Sequence, residues 1–176
     1  MRVAILAYNG CFPSAVAGFR DVFAVASLLA GNAGGTVFSS LILSEDGHPV
    51  KGFTGMDVAV DGDAQEAGTA DILLAPPAFT SLDQVLGNKK LVQALAEANG
   101  RQACICGACA GVFLLAETGA LNQREATTHW GLADAFRKRY PRVELRAERM
   151  LVDGGEYVCA GGVTAYLDLA LHLVAR

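Results

Sequence analysis

Apolar residues along this chain alternate between short unbroken runs and a helical repeat. "RVAILAY" at 2–8 is almost continuously apolar, as in a strand covered on both faces, and Val16, Phe19, Val22, Phe23 and Ala26 then follow a helical stripe within 15–30. "TVFSSLIL" at 36–43 predicts a second strand, and "HPVKGF" with "MDVAVD" predicts a hairpin around Gly52 and Gly55. "ADILLAPP" is a strand stopped by Pro76 and Pro77, followed by an amphipathic helix "KKLVQALAEAN" with Gly100 as its C-cap. "QACICGA" reads as a strand and "AGVFLLAETG" as a helix ending at Gly119. The last third predicts a helix ("WGLADAFRKRY"), a hairpin ("RMLVDGGEYVCA") and a closing helix ("GVTAYLDLALHLVAR"). This alternation predicts an α/β fold in three layers, a mostly parallel sheet with helices on both faces. No repeat or linker interrupts residues 1–176, so one domain is expected.

Composition narrows the picture. With 52% apolar and 18% charged residues the chain is no disordered segment, and a net charge of −4 makes it a poor electrostatic trap for nucleic acid or anionic membrane. Six of the fourteen basic residues do fall between Arg137 and Arg149; they read as a solvated helix end whose cations complement the helix dipole. The N-terminal apolar stretch is too short for a signal peptide and no run reaches membrane-spanning length, so a cytoplasmic protein is expected. Five cysteines, an odd number, then imply reduced thiols. The final helix carries no stop signal before Arg176, which suits either a native terminus or a chain that continues.

The candidate chemistry lies in "ICGACAGVF" at 105–113. Zinc fits poorly, because Cys11, Cys104, Cys159, His48, His129 and His172 are scattered rather than paired at ligand spacing. A thioredoxin-type pair fits poorly too, since Cys106 ends an apolar strand instead of opening a helix. The wider frame, Gly107-Ala108-Cys109-Ala110-Gly111, is G-x-C-x-G between a strand and a helix. That is the setting of a nucleophile elbow, with Cys109 projecting beyond the strand ends and Cys106 left as packing. The dipole of the following helix favours a Cys109 thiolate. An inert cysteine in a small-residue turn has the same spacing. His129 in "ATTHW", twenty residues on, is placed to face Cys109 as its base. His48 reads as a turn residue and His172 as a helix residue without a visible partner.

These blocks, from "RVAILAYNGC" through "DILLAPP", "CGACAGVFLLAETGAL" and "ATTHW" to "YVCAGGVTAYLDLALHLV", resemble the ThiJ/PfpI superfamily. The resemblance implies the flavodoxin-like, class I glutamine-amidotransferase-like form of the three-layer fold. Within the superfamily the chain is similar to the N-terminal domains of AraC-type transcriptional regulators, and also to isonitrile hydratases. It implies Cys109 as nucleophile and His129 as its partner. The oxyanion donors would be the backbone N–H groups of Ala78 and of Ala110 or Cys109. Two departures stand out. The acidic residue expected after the first strand is replaced by Ala15, beside Ser14, with Asp21 too far along the helix to substitute. Pro77 removes one N–H from the loop that carries Ala78. Without its acid the site loses an expected proton carrier, ordinarily a factor of about 10²–10⁴. The expected ligand pocket is small and lined by Ser14, Ala15, Ala78, Cys109, Ala110, Thr128, His129 and Trp130.

The sequence therefore points first to a small-molecule-sensing and dimerisation domain of a regulator. Its partners would be a small-molecule ligand and a second copy, with DNA reached only through a separate helix-turn-helix domain in a longer chain. No cofactor, metal or membrane is called for. A cysteine-dependent hydratase or hydrolase and a redox or electrophile sensor remain the alternatives.

Overall fold

The computed structural model describes residues 1–31 and 34–176. Its strands are β1 (Arg2–Leu6), β2 (Ser39–Ser44), β3 (Val50–Lys51), β4 (Asp57–Val58), β5 (Gly62–Asp63), β6 (Ile72–Ala75), β7 (Cys104–Ala108), β8 (Glu125–Ala126), β9 (Glu144–Leu145), β10 (Leu151–Asp153) and β11 (Tyr157–Ala160). The helices are α1 (Pro13–Gly31), α2 (Leu82–Leu86), α3 (Lys89–Gly100), α4 (Gly111–Glu117), α5 (Ala133–Arg139) and α6 (Tyr166–Ala175).

The main sheet has the order β10-β11-β7-β6-β1-β2-β5 and is parallel except for β10. β1 lies between β2 and β6, so the chain reverses its direction of winding there. Such a reversal opens a crevice beyond the carboxyl ends of the strands, where ligands of α/β sheets bind. α1 and α6 pack together on one face, while α3 and α4 cover the other against β7. This is the three-layer α/β arrangement. The core lies between the layers: Ile5, Leu6, Leu43, Leu73 and Leu74 from the sheet, with Phe19 and Phe23 from α1 and Phe113 from α4. Each such side chain contributes about 1.5–3 kcal/mol through removal from water.

Several boundaries differ from the sequence reading for local reasons. β2 begins at Ser39 because the Ser27 hydroxyl takes the Phe38 N–H at 2.7 Å and donates to the Phe38 carbonyl at 2.9 Å. The 48–61 hairpin forms, with Val50 opposite Val58, but only two residues long on each side. At the end of α3 the left-handed residue is Gln102 (φ 65), not Gly100, which stays inside the helix. α5 starts three residues late, after a 3₁₀ turn at Trp130–Leu132, and α6 starts at Tyr166. α2, capped by the Ser81 hydroxyl, and the short parallel pair β8–β9 carry too little periodicity to be read from sequence. The basic run is largely ion-paired rather than free: Arg139 with Glu117, Arg146 with Glu125, and Arg149 with Glu125. α1 is the one helix among the described residues whose length and mean hydropathy would allow it to cross a bilayer, though no unbroken apolar run of that length occurs in it. Here it carries Arg20 and Asp21 and buries Ala15, Val16, Phe19 and Phe23 within the domain.

Candidate functional site

β7 ends at Ala108, and Cys109 then takes a left-handed backbone conformation (φ 54) before α4 begins at Gly111. A non-glycine residue is held in that region at a cost of about 1–2 kcal/mol. Buried hydrogen bonds hold it. The Cys109 N–H donates to the Ala160 carbonyl at 2.8 Å, and the Thr128 hydroxyl donates to the Cys109 carbonyl at 2.7 Å. Gly111 is required by close approach, because a Cβ there would lie 2.4 Å from the Ala75 carbonyl oxygen. The small residues of G-x-C-x-G thus let α4 pass over the end of β6.

The loops after β1 and β6 form the facing wall. Cys11 and Ala78 pair as an antiparallel bridge, in which Phe12 N–H donates to the Pro77 carbonyl and Phe79 N–H to the Gly10 carbonyl, both at 2.9 Å. This geometry directs the Ala78 N–H away from the bridge. Tyr8 is buried beneath, its hydroxyl donating to the Pro76 carbonyl. Burial, reinforced by the neighbouring Cys11 and Cys109, holds the Tyr8 phenol well above its usual range.

Between these walls lies a cavity of about 460 Å³. Cys109 and Ala110 come from the elbow; Ala78, Phe79, Thr80 and Leu82 from the loop after β6; His129, Gly131 and Leu132 from the segment after β8; and Val163 from the loop after β11. None of these side chains carries a formal charge except His129 when protonated. Of the eight residues expected around the ligand, the cavity gathers Ala78, Cys109, Ala110 and His129. Ser14 points to solvent, Ala15 is sealed in the core, Thr128 is spent on the elbow carbonyl, and Trp130 is 77% exposed. Phe79, Thr80, Leu82, Leu132 and Val163 went unread in the sequence. Their signal is positional, since these loop residues follow or approach strand ends.

Burial pushes the Cys109 thiol up to about 11, and the Ala110 N–H pulls only partly the other way. Desolvation therefore outweighs the helix end that was expected to favour thiolate. The Cys109 N–H is consumed by Ala160, which removes it as an oxyanion donor and leaves Ala110 and Ala78. His129 caps the 3₁₀ turn through its own ring, Nδ1 accepting the Gly131 N–H at 3.1 Å, and lies tilted on Trp130. In the neutral ring the proton then sits on Nε2. His172 does have a partner, the Asp153 carboxylate at 2.7 Å. All five cysteines are free thiols.

The DJ-1/PfpI family pattern matches residues 11–176, nearly the whole chain. This chain belongs to the DJ-1/PfpI family. Over 135 residues, 77% of the chain, the DJ-1/PfpI domain is 37% identical to the HTH-type transcriptional regulator CdhR of Pseudomonas aeruginosa, of which the match covers 39%. The chain thus spans about two fifths of that regulator. It is also 34% identical over 145 residues to the uncharacterised protein of the cpoL 5′ region of Streptomyces lividans, covering 80% of the chain and 95% of that protein. The fold superposes on an AraC family transcriptional regulator from Pseudomonas putida with a TM-score of 0.81, at 18% identity, over 99% of this chain and 91% of the other.

Proposed function

We propose that this DJ-1/PfpI domain is the small-molecule-sensing and dimerisation domain of an AraC-type transcriptional regulator, and that its elbow binds a ligand without turning it over. The observation that carries this reading is the uncharged cavity built on Cys109, with no carboxylate in its wall among the described residues. A thiol pushed up to about 11, and a histidine whose Nδ1 is already engaged, make a poor nucleophile and base. The same wall suits a small neutral molecule whose polar atom meets the N–H groups of Ala78 and Ala110. In this reading the domain acts in the cytoplasm as a homodimer and reaches DNA through a separate domain; the likeness to HTH-type regulators supports the last of these.

A panel of small uncharged compounds, screened by thermal shift and followed by calorimetry, tests this. A ligand at a hundred times its Kd stabilises by about 2.7 kcal/mol. Leu132→Trp, which fills the cavity, should abolish the shift, and NMR should show the compound unchanged after prolonged incubation.

The second reading is a cysteine-dependent hydratase or hydrolase, favoured by the left-handed turn that sets Cys109 at the cavity beside the Ala110 N–H. In it Cys109 attacks, His129 or water moves the proton, and Ala78 and Ala110 hold the oxyanion. Consumption of a compound, abolished by Cys109→Ala, would establish it instead.

A further inference from the structure

A second group of thiols stands at the other end of β7 from the elbow. Cys104 and Cys106 project to the same side of the strand, and their sulfurs are 3.6 Å apart. Arg176 donates from Nη1 to the Cys104 sulfur at 3.5 Å and from Nη2 to the Gly155 carbonyl. Asp153, 3.9 Å from Arg176, completes the group. Cys104 is half-buried, whereas the other four cysteines are buried. It opens onto a cleft of about 500 Å³ that also holds Asp71, Gln102, Glu156 and Arg176. The cavity on the elbow shares no residue with this cleft.

We propose that Cys104 is a thiol-exchange site, where the domain takes up a low-molecular-weight disulfide of the glutathione type independently of Cys109. The Arg176 guanidinium donates to the Cys104 sulfur, and the Cys106 thiol lies within hydrogen-bonding distance of it, where either sulfur can be the donor. The Cys106 hydrogen bond first, and Arg176 next after the opposing effect of burial, bring the Cys104 thiol down to about 7; Asp153 opposes them. Cys159 on β11, which pairs with Gly107 rather than with Cys104 or Cys106, keeps its proton, since burial pushes it up to about 12. The cleft also suits the reagent: Arg176 can meet a carboxylate, and Asp71 or Glu156 an ammonium group.

The step balances without a further oxidant. The Cys104 thiolate attacks one sulfur of the disulfide, whose S–S bond breaks as the bond to Cys104 forms. The other half leaves as a thiolate and takes a proton from water. Cys104 is oxidised and the departing half is reduced.

The test is to incubate the chain with oxidised glutathione near neutral pH and to locate adducts by fragment-ion mass spectrometry. One glutathione on Cys104 is expected, lost in Cys104→Ser and kept in Cys109→Ser. Arg176→Gln should slow the exchange several-fold near pH 7, with the difference closing above about pH 9, where an ordinary thiol also ionises. Circular dichroism checks that each variant is folded. An adduct confined to Cys109 or Cys11, no adduct on the folded chain, or an Arg176→Gln rate equal to that of the native chain at neutral pH would overturn the proposal.

Discussion

The Thr128 hydroxyl donates to the carbonyl of Cys109 at 2.7 Å, with both residues buried, and so ties the "ATTHW" segment to the strained elbow. Thr128→Val keeps the shape but leaves that carbonyl without its side-chain donor. The cost is expected at about 1–3 kcal/mol, and about 2–4 °C in Tm for each kcal/mol. Thermal unfolding followed by circular dichroism measures it. An unchanged Tm would mean that the elbow does not depend on this bond.

Much of this was legible in the sequence, and the exceptions have physical causes. The elbow could be read because a tight strand-to-helix turn demands small residues at fixed spacing, and Gly107, Cys109 and Gly111 meet that demand locally. The cavity wall could not be read so well, because it is assembled from four loops whose approach depends on strand order. Thr128 and Trp130 flank His129 in sequence, yet one turns into the core and the other to solvent. Ala15 was expected at the pocket from its place after β1, but the helical stripe of Val16, Phe19 and Phe23 carries it into the core. Cys104 stands in the sequence only as one of the scattered cysteines, since nothing local announces that Arg176, seventy-two residues away, will meet its sulfur.

Gly111 is the position least able to accept a side chain. A Cβ there meets the Ala75 carbonyl oxygen at 2.4 Å and the Pro76 carbonyl oxygen at 2.6 Å, both backbone atoms. Gly111→Ala is expected to cost about 3 kcal/mol or more and to lower soluble yield. Gly100→Ala is the control. Its Cβ would meet nothing within 4 Å, and it lies in the last turn of α3, so a small gain of about 0.4–1 kcal/mol is expected. Urea midpoints of the two variants should move in opposite directions.

The buried Cys109 thiol makes stability depend on alkaline pH. The folded domain holds this proton up to about 11, whereas an unfolded chain releases it near the ordinary thiol value. The neutral thiol's contribution is therefore full below the unfolded value and declines as pH rises from there toward about 11. Urea unfolding of the native chain and Cys109→Ala, compared at neutral pH and near pH 10, reads this out. The native chain should lose more stability over that interval than the variant. Equal losses would place the thiol's ionisation at its ordinary value and restore Cys109 as a candidate nucleophile.

For the homodimer proposed above, the expected surface is the exposed apolar face of α1 and α6. Leu28 is 69% exposed, Leu29 67% and Leu171 59%, and Val25 and Val174 share the same groove as Leu29 and Leu171. Apolar residues this exposed and this contiguous mark an association surface more often than a solvated one. A two-fold pairing brings the same patch of both copies together, and a groove lined by leucine and valine needs no matched charges for that. A regulator of the HTH type gains from such pairing, because two half-sites on DNA call for two copies. Leu29→Asp and Leu171→Asp, each already largely exposed in the single chain, should leave the fold intact and convert a dimer to a monomer in sedimentation velocity. A native chain that sediments as a monomer at high micromolar concentration would remove this face as the self-association surface.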